Sequence, residues 1–224
     1  MLIHRVLRSA GRTYTIDPDI PSAFLYGEVL RRGMDLIRGG ITFRGLVFRG
    51  AGVRIRCKRN LRSGRFSSIG SGCIVDASGQ RGVKLGRGAK LGRRCIVTTT
   101  SQLSKRGVGL VIGDFSGIGD YAHIGCSGGV TIGANVIAGP YTTFHSQEHV
   151  VDDLAVAIRT QGTREAEIFI DDNVWIGARA TFLAGAHVGA GSVVAAGSVI
   201  RGEFPPNSVI GGLPARLLKE RGRC

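Results

Sequence analysis

In the stretch FHSQEHVVDD, Phe144 to Asp153, two histidines and three acids fall side by side. An imidazole with an ordinary pKa of about 6.5 can accept or return a proton near neutral pH, and a neighbouring carboxylate can fix its tautomer. His145 and His149, with Glu148, Asp152 and Asp153 around them, therefore suit general acid–base catalysis of a group transfer. The same residue types also bind metals, and His123, His145 and His149 are the set that could converge on one.

A repeat must hold these residues in place. From Ile170 onward a large apolar residue returns every sixth position, at Ile170, Ile176, Phe182, Val188, Val194 and Ile200. The same register runs through Ile112, Ile118 and Ile124, then Ile132, Ala138 and Phe144, with earlier pieces at Leu85, Leu91 and Val97 and at Ile69 and Val75. The fourth residue after each large one is usually small, as at Ala180, Ala186, Ser192 and Ser198. Six is a multiple of the strand period of two, so each unit is a short strand closed by a turn, and stacked units bury one continuous column. A helix would scatter positions six apart around its cylinder, and 36 glycines in 224 residues would oppose it. The expected fold is an all-β solenoid, a parallel β-helix. The register breaks after Phe144 and resumes at Ile170, so the histidine stretch lies on an excursion loop at about 145–169, where a rigid coil would hold binding residues.

The Ile-Gly-x-x-small-x units, followed by DNVWIGARATFLAGAHVGAGSVVAAGSVIRGEFPPNSVIGGLPARLLKER, resemble the hexapeptide-repeat acyltransferase family, in its sugar O-acetyltransferase branch. The resemblance covers about 65–221 and is most specific over 172–214. It implies a left-handed coil, a homotrimer, acetyl-coenzyme A as acyl donor without a metal, and direct acetyl transfer to a sugar hydroxyl. The acceptor would be a sugar, a lipid-linked oligosaccharide or a polysaccharide of the cell surface. In the family the catalytic histidine stands seventeen residues after the isoleucine of an IGxNV unit. Ile132 of TIGANV places it at His149, with His145 in reserve. The resemblance also implies that Trp175, Ala178 and Ala196 line the pantetheine arm of the donor, and that Arg201 and Lys219 meet its far end, although Arg201 stands where close relatives carry a hydroxyl residue. Tyr121, His123 and Glu148 are candidates for the acceptor side. Two alternatives are N-acetylation of an amino sugar and a metalloenzyme resembling the γ-carbonic anhydrases.

Five cysteines with no CxxC pair indicate neither a disulfide framework nor a zinc knuckle. Cys73 and Cys95 fall at small interior positions, whereas Cys126, two residues after Ile124, is expected to point outward. No apolar run is long enough to span a bilayer, and MLIHRVLRSAGR is too short and charged for a signal peptide, so a cytoplasmic enzyme is expected. The organisation is expected as an N-terminal segment with lead-in strands over 1–64, the coil over 65–204 and a basic tail over 205–224. Residues 1–110 hold 22 Lys+Arg against 5 Asp+Glu, whereas 111–224 hold 8 against 11, so the excess positive charge is all in the first half. With few aromatics and no nucleic-acid-binding motif, nucleic acid is not an expected partner. PSAFLYGEVLRRGMDLIRGG reads as a helix over about 21–38, capped by Ser22 and stopped by Gly39-Gly40. Its stripe of Leu25, Val29, Met34 and Ile37 is expected to cap the open end of the coil or to meet a membrane. Peripheral contact with an anionic membrane through the basic end, including Arg31, Arg32 and Arg38, is a further expectation.

Overall fold

The computed structural model describes residues 17–99 and 104–222. The signal-peptide question and Cys224 fall outside the described residues. Three parallel sheets form the sides of a coil, which the chain visits in turn, and every strand pairs with the one a full turn away. Sheet A runs from Phe48–Arg49 through Gly117–Ile118 and Trp175–Ile176 to Ser208–Gly212. Sheet B runs from Arg54–Arg56 through His123–Gly125 and Thr143–His145 to Val199–Ile200. Sheet C runs from Leu61–Ser63 through Val130–Ile132 and Ile168–Ile170 to Glu203–Phe204. The strands before residue 65 are thus already a turn of the coil, since Phe48 pairs with Ser68, Arg54 with Ile74 and Leu61 with Val83.

Every large residue of the six-residue register is buried in one column, as at Ile118, Ile124, Ile132, Phe144, Ile170, Ile176 and Phe182. Phe144 and Phe182 stack at 4.8 Å in adjacent turns of sheet B. Burial of each such side chain contributes about 1.5–3 kcal/mol, so the column dominates the stability of the coil. Cys126 is also buried, against the outward expectation. Strand alternation gives the reason: positions two apart share a face, so the residue two after the inward Ile124 points inward too.

At the C-terminus, Ser208–Gly212 completes the last turn on sheet A, and Ala215–Glu220 folds back antiparallel against it. At the N-terminus the helix spans Ser22–Phe43, with Pro21 at its cap position and no side-chain cap, so Ser22 is its first residue rather than its cap. It runs through Gly39-Gly40 and ends at Arg44, whose left-handed backbone donates its N–H to the Gly40 carbonyl at 2.8 Å. Gly39 serves contact instead of termination. A Cβ there would lie 1.6 Å from the Val47 carbonyl oxygen, so only glycine lets the helix dock this closely on the first turn.

The helix docks with the face opposite the apolar stripe, which overturns the cap expected of that stripe and leaves it outward. Asp35 and Gly39 are buried, Phe43 packs on the core and the Arg32 guanidinium lies over the Phe48 ring, while Val29, Met34 and Ile37 are exposed. Asp35 is bridged by Arg31 and Arg38 at 3.2 and 3.1 Å, so two of the three arginines expected to reach a membrane are engaged within the helix.

Candidate active site

The loop that interrupts the coil leaves from the corner between sheets B and C. Its root is fixed by Ser146, which is buried, donates its hydroxyl to the Gly125 carbonyl at 2.8 Å and accepts the Gly128 N–H at 2.9 Å. Beyond it, Gln147–His149 pairs antiparallel with Thr163–Glu165, placing His149 opposite Thr163 on a hairpin that projects from the coil. At the tip, Gln161 accepts from the Asp153 N–H and donates to the carbonyls of Asp153 and Val156. Asp152 pairs with Arg164 across the hairpin, and Glu165 meets Lys105 at 2.8 Å.

His149 is exposed, and no hydrogen-bond partner within the protomer is seen for it among the described residues. The expected orienting acids are occupied elsewhere: Asp152 by Arg164, and Glu148 by Arg201 Nη2 at 2.5 Å. Arg201 stands at the B–C corner two turns further along, so its ion pair ties the hairpin to the end of the coil. Within the protomer Arg201 thus stands at a different corner from Ala178 and Ala196, and Glu148, a candidate for the acceptor side, is its ion-pair partner.

His123 and His145 stand on the outer face of sheet B, with rings 5.7 Å apart at 30°. Burial, and secondarily the charge of His145, lower the His123 pKa, so its imidazole favours the neutral form. Among the described residues no group of three metal-ligating side chains converges.

Trp175 projects from sheet A and is 57% exposed, in register with the outward Ile137 and Val193. Ala178 and Ala196 follow at the corner between sheets A and B, one turn apart. Adjacent turns approach closely here, as at the other glycine corners: a Cβ on Gly177 would lie 2.4 Å from the Ala196 nitrogen, and one on Gly139 would lie 2.6 Å from the Ala178 nitrogen. Lys219 lies on the returning strand, paired with Val209, which follows Val193 in the sheet A column that contains Trp175. An apolar strip edged by two alanines and ending near a lysine fits a slender acyl carrier with a phosphorylated end.

The same corner carries a ladder that sequence reasoning identified only through Tyr121. Tyr121 and Tyr141 stack at 5.1 Å, with Arg94 over the first ring and Arg179 over the second. All four have positive φ, between 53° and 61°, a conformation that costs bulky residues free energy. The signal was present, because each stands three residues before an inward anchor: Val97, Ile124, Phe144 or Phe182.

Comparison with known proteins agrees with this architecture. The model for Bacterial transferase hexapeptide (six repeats) matches residues 167–202. A hexapeptide-repeat containing-acetyltransferase of Vibrio cholerae, VCA0836, solved with acetyl coenzyme A, is 31% identical, with 62% of this chain and 71% of that one covered and a TM-score of 0.54. This chain belongs to the hexapeptide-repeat acetyltransferase family. Curated relatives include the putative lipopolysaccharide biosynthesis O-acetyl transferase WbbJ of Escherichia coli, 33% identical over 46% of this chain and 56% of its own length. The galactoside O-acetyltransferase of the same organism is 37% identical over 41% of this chain and 44% of its own. The chain thus spans about half the length of the curated relatives it matches. AntD, an N-acyltransferase of Bacillus cereus, shares the fold at 16% identity with a TM-score of 0.53.

Proposed function

We propose that the protein is an acetyl-coenzyme A-dependent O-acetyltransferase that acylates a sugar hydroxyl in surface polysaccharide assembly, with His149 as its base. We further propose that three copies assemble, each a left-handed coil. The observation that carries this reading is the separation of the two sets of residues. His149 leaves the coil at the B–C corner, whereas Trp175, Ala178 and Ala196 lie on sheet A and the A–B corner. A protomer thus carries His149 and the Trp175, Ala178 and Ala196 strip on different flanks, and a ring of copies would bring one chain's hairpin to the next chain's strip. The names of the relatives support acetyl transfer to a sugar, and the Vibrio cholerae structure with acetyl coenzyme A supports the donor.

In this reading acetyl-coenzyme A is a substrate that supplies a thioester. His149 takes the proton of the acceptor hydroxyl as its oxygen bonds to the acyl carbon; the carbon–sulfur bond breaks, and the proton passes to the departing thiolate. Such base catalysis is typically worth about 10² to 10⁴ in rate, and no covalent enzyme intermediate is needed. A backbone N–H of a neighbouring turn would hold the developing oxyanion. Arg201 and Glu148 act as positioning residues, holding the strand that carries His149. His123, His145 and Tyr121 border the acceptor.

The test is to follow release of free coenzyme A across soluble sugars, amino sugars, nucleotide sugars, lipid-linked oligosaccharides and polysaccharides. Release with a hydroxyl acceptor and an ester product cleaved by hydroxylamine is expected. An amide formed only on amino sugars would replace this reading with N-acetylation, and no release with any acceptor would overturn it. An active monomer by light scattering would contradict the shared site.

A further inference from the structure

The N-terminal helix is amphipathic in the wrong sense for a cap. Its buried side carries Asp35 and Gly39, while Leu30, Met34, Ile37 and Ile41 form a stripe on its outer side at 71%, 49%, 58% and 78% exposure. These four recur every three or four residues, so they lie along one line of the helix, with Phe24 and Tyr26 also exposed near its start. Among the described residues nothing buries them. A helix that docks through Asp35, Gly39 and Phe43 leaves the hydrophobic free energy of this stripe unused unless something else covers it.

The first turn of the coil, on which this helix docks, is strongly basic. Arg44, Arg54, Arg56, Lys58, Arg59 and Arg62 are all exposed, and none has a carboxylate partner among the described residues. Further along the chain, among the described residues, some cations are neutralised and others are not. Arg81, Arg93, Arg164 and Arg201 are each paired with an acid. Lys58, Arg59 and Arg62, together with Thr42 and Phe43 from the end of the helix, line a recess of about 760 Å³. One end of the molecule therefore presents an apolar helical stripe and a field of unneutralised cations together.

We propose that this end is a docking surface for an anionic lipid bilayer, with the stripe of Leu30, Met34, Ile37 and Ile41 entering the headgroup–acyl boundary and the first-turn cations meeting lipid phosphates. Charge complementarity selects this occupant. A second copy docking stripe to stripe would bring two basic ends together, and like charges at that range repel, whereas an anionic bilayer satisfies both features at once. Arg31 and Arg38 contribute little, because their charge is already spent on Glu28 and Asp35. The proposal does not depend on the acyl-transfer reading. If both hold, docking sets the coil beside acceptors assembled on lipid carriers.

The experiment is co-sedimentation of the full chain with vesicles of phosphatidylglycerol and phosphatidylcholine in equal parts, and with phosphatidylcholine alone. Binding to the anionic vesicles, released by high salt, is expected. The Leu30→Glu/Ile37→Glu double variant should lose at least about tenfold in partitioning. Arg54→Glu, Lys58→Glu and Arg59→Glu should each cost about fivefold at low salt. All five positions are exposed, so unfolding midpoints should match the parent's, and that is measured alongside. Equal binding by the Leu30→Glu/Ile37→Glu variant would overturn insertion of the stripe. A fall in that variant's mass by light scattering with vesicle binding unchanged would assign the stripe to contact between copies. Binding to soluble polyphosphate that matches vesicle binding and is indifferent to the stripe would assign the cations to a polymer.

Discussion

The coil and the hairpin that leaves it are held by different physics. In the coil, each turn repeats the same contact, so Phe144 is supported by Ile124 below, Phe182 above and the backbone ladder on both sides. In the hairpin from Gln147 to Glu165 no residue is fully buried and most are exposed, and a few polar ties hold it: Ser146 at the root, Arg201 to Glu148 along one side, Lys105 to Glu165 on the other, and Gln161 at the tip. A redundant scaffold and a sparsely tethered arm are what a site needs when one part must be fixed and another must meet a partner or substrate. The consequence is that damage to the coil should register as lost stability, and damage to the hairpin as lost turnover.

That contrast can be broken in three places. Phe144→Ala removes a stacked, fully buried ring from the centre of the column and should destabilise the protein by about 3–5 kcal/mol in denaturant unfolding. A cost near that of a surface substitution would show that the column is less essential than its burial suggests. Ser146→Ala leaves the buried Gly128 N–H without its acceptor and should cost about 1–3 kcal/mol. Hydrogen exchange should show that loss concentrated at the hairpin root, and uniform loss across the coil would contradict its assignment as a local tie. Arg201→Ala breaks an exposed ion pair, so its cost in stability should stay below about 1 kcal/mol. If the pair positions His149, turnover should nevertheless fall several-fold with acetyl-coenzyme A affinity retained, and Arg201→Lys should recover part of it. A loss of donor affinity with turnover preserved would return Arg201 to the donor site.

The coil was legible because its signal is periodic and packing enforces it: any residue at the inward position must be apolar, so the Ile170-to-Ile200 series could be read directly. The helix was legible in existence but not in orientation. Gly39-Gly40 reads as a stop because glycine usually ends helices, and only the approach of Val47 reveals that Gly39 is a contact. Whether the stripe faces the coil or the outside stayed open for a related reason, since a pattern shows that one face is apolar but not which face the coil takes. Cys126 was misread for want of applying the two-residue alternation. In the candidate site, His149 could be placed by register with a family motif, but the Arg201–Glu148 pair joins positions 53 apart in sequence, and no local pattern announces it. The Tyr121–Tyr141 ladder lies between these cases: its spacing follows the repeat, yet outward corner positions accept many residue types, so nothing compels attention to it.

The measurement that bears most directly on the hairpin's role is the steady-state rate of coenzyme A release by His149→Ala and by His145→Ala, at saturating acceptor, beside equilibrium binding of acetyl-coenzyme A to each. If His149 is the base, its removal lowers turnover at least about 100-fold while donor affinity barely changes, and the His145 variant is much milder. Near-normal turnover in His149→Ala, or the larger loss falling on His145→Ala, would contradict the account.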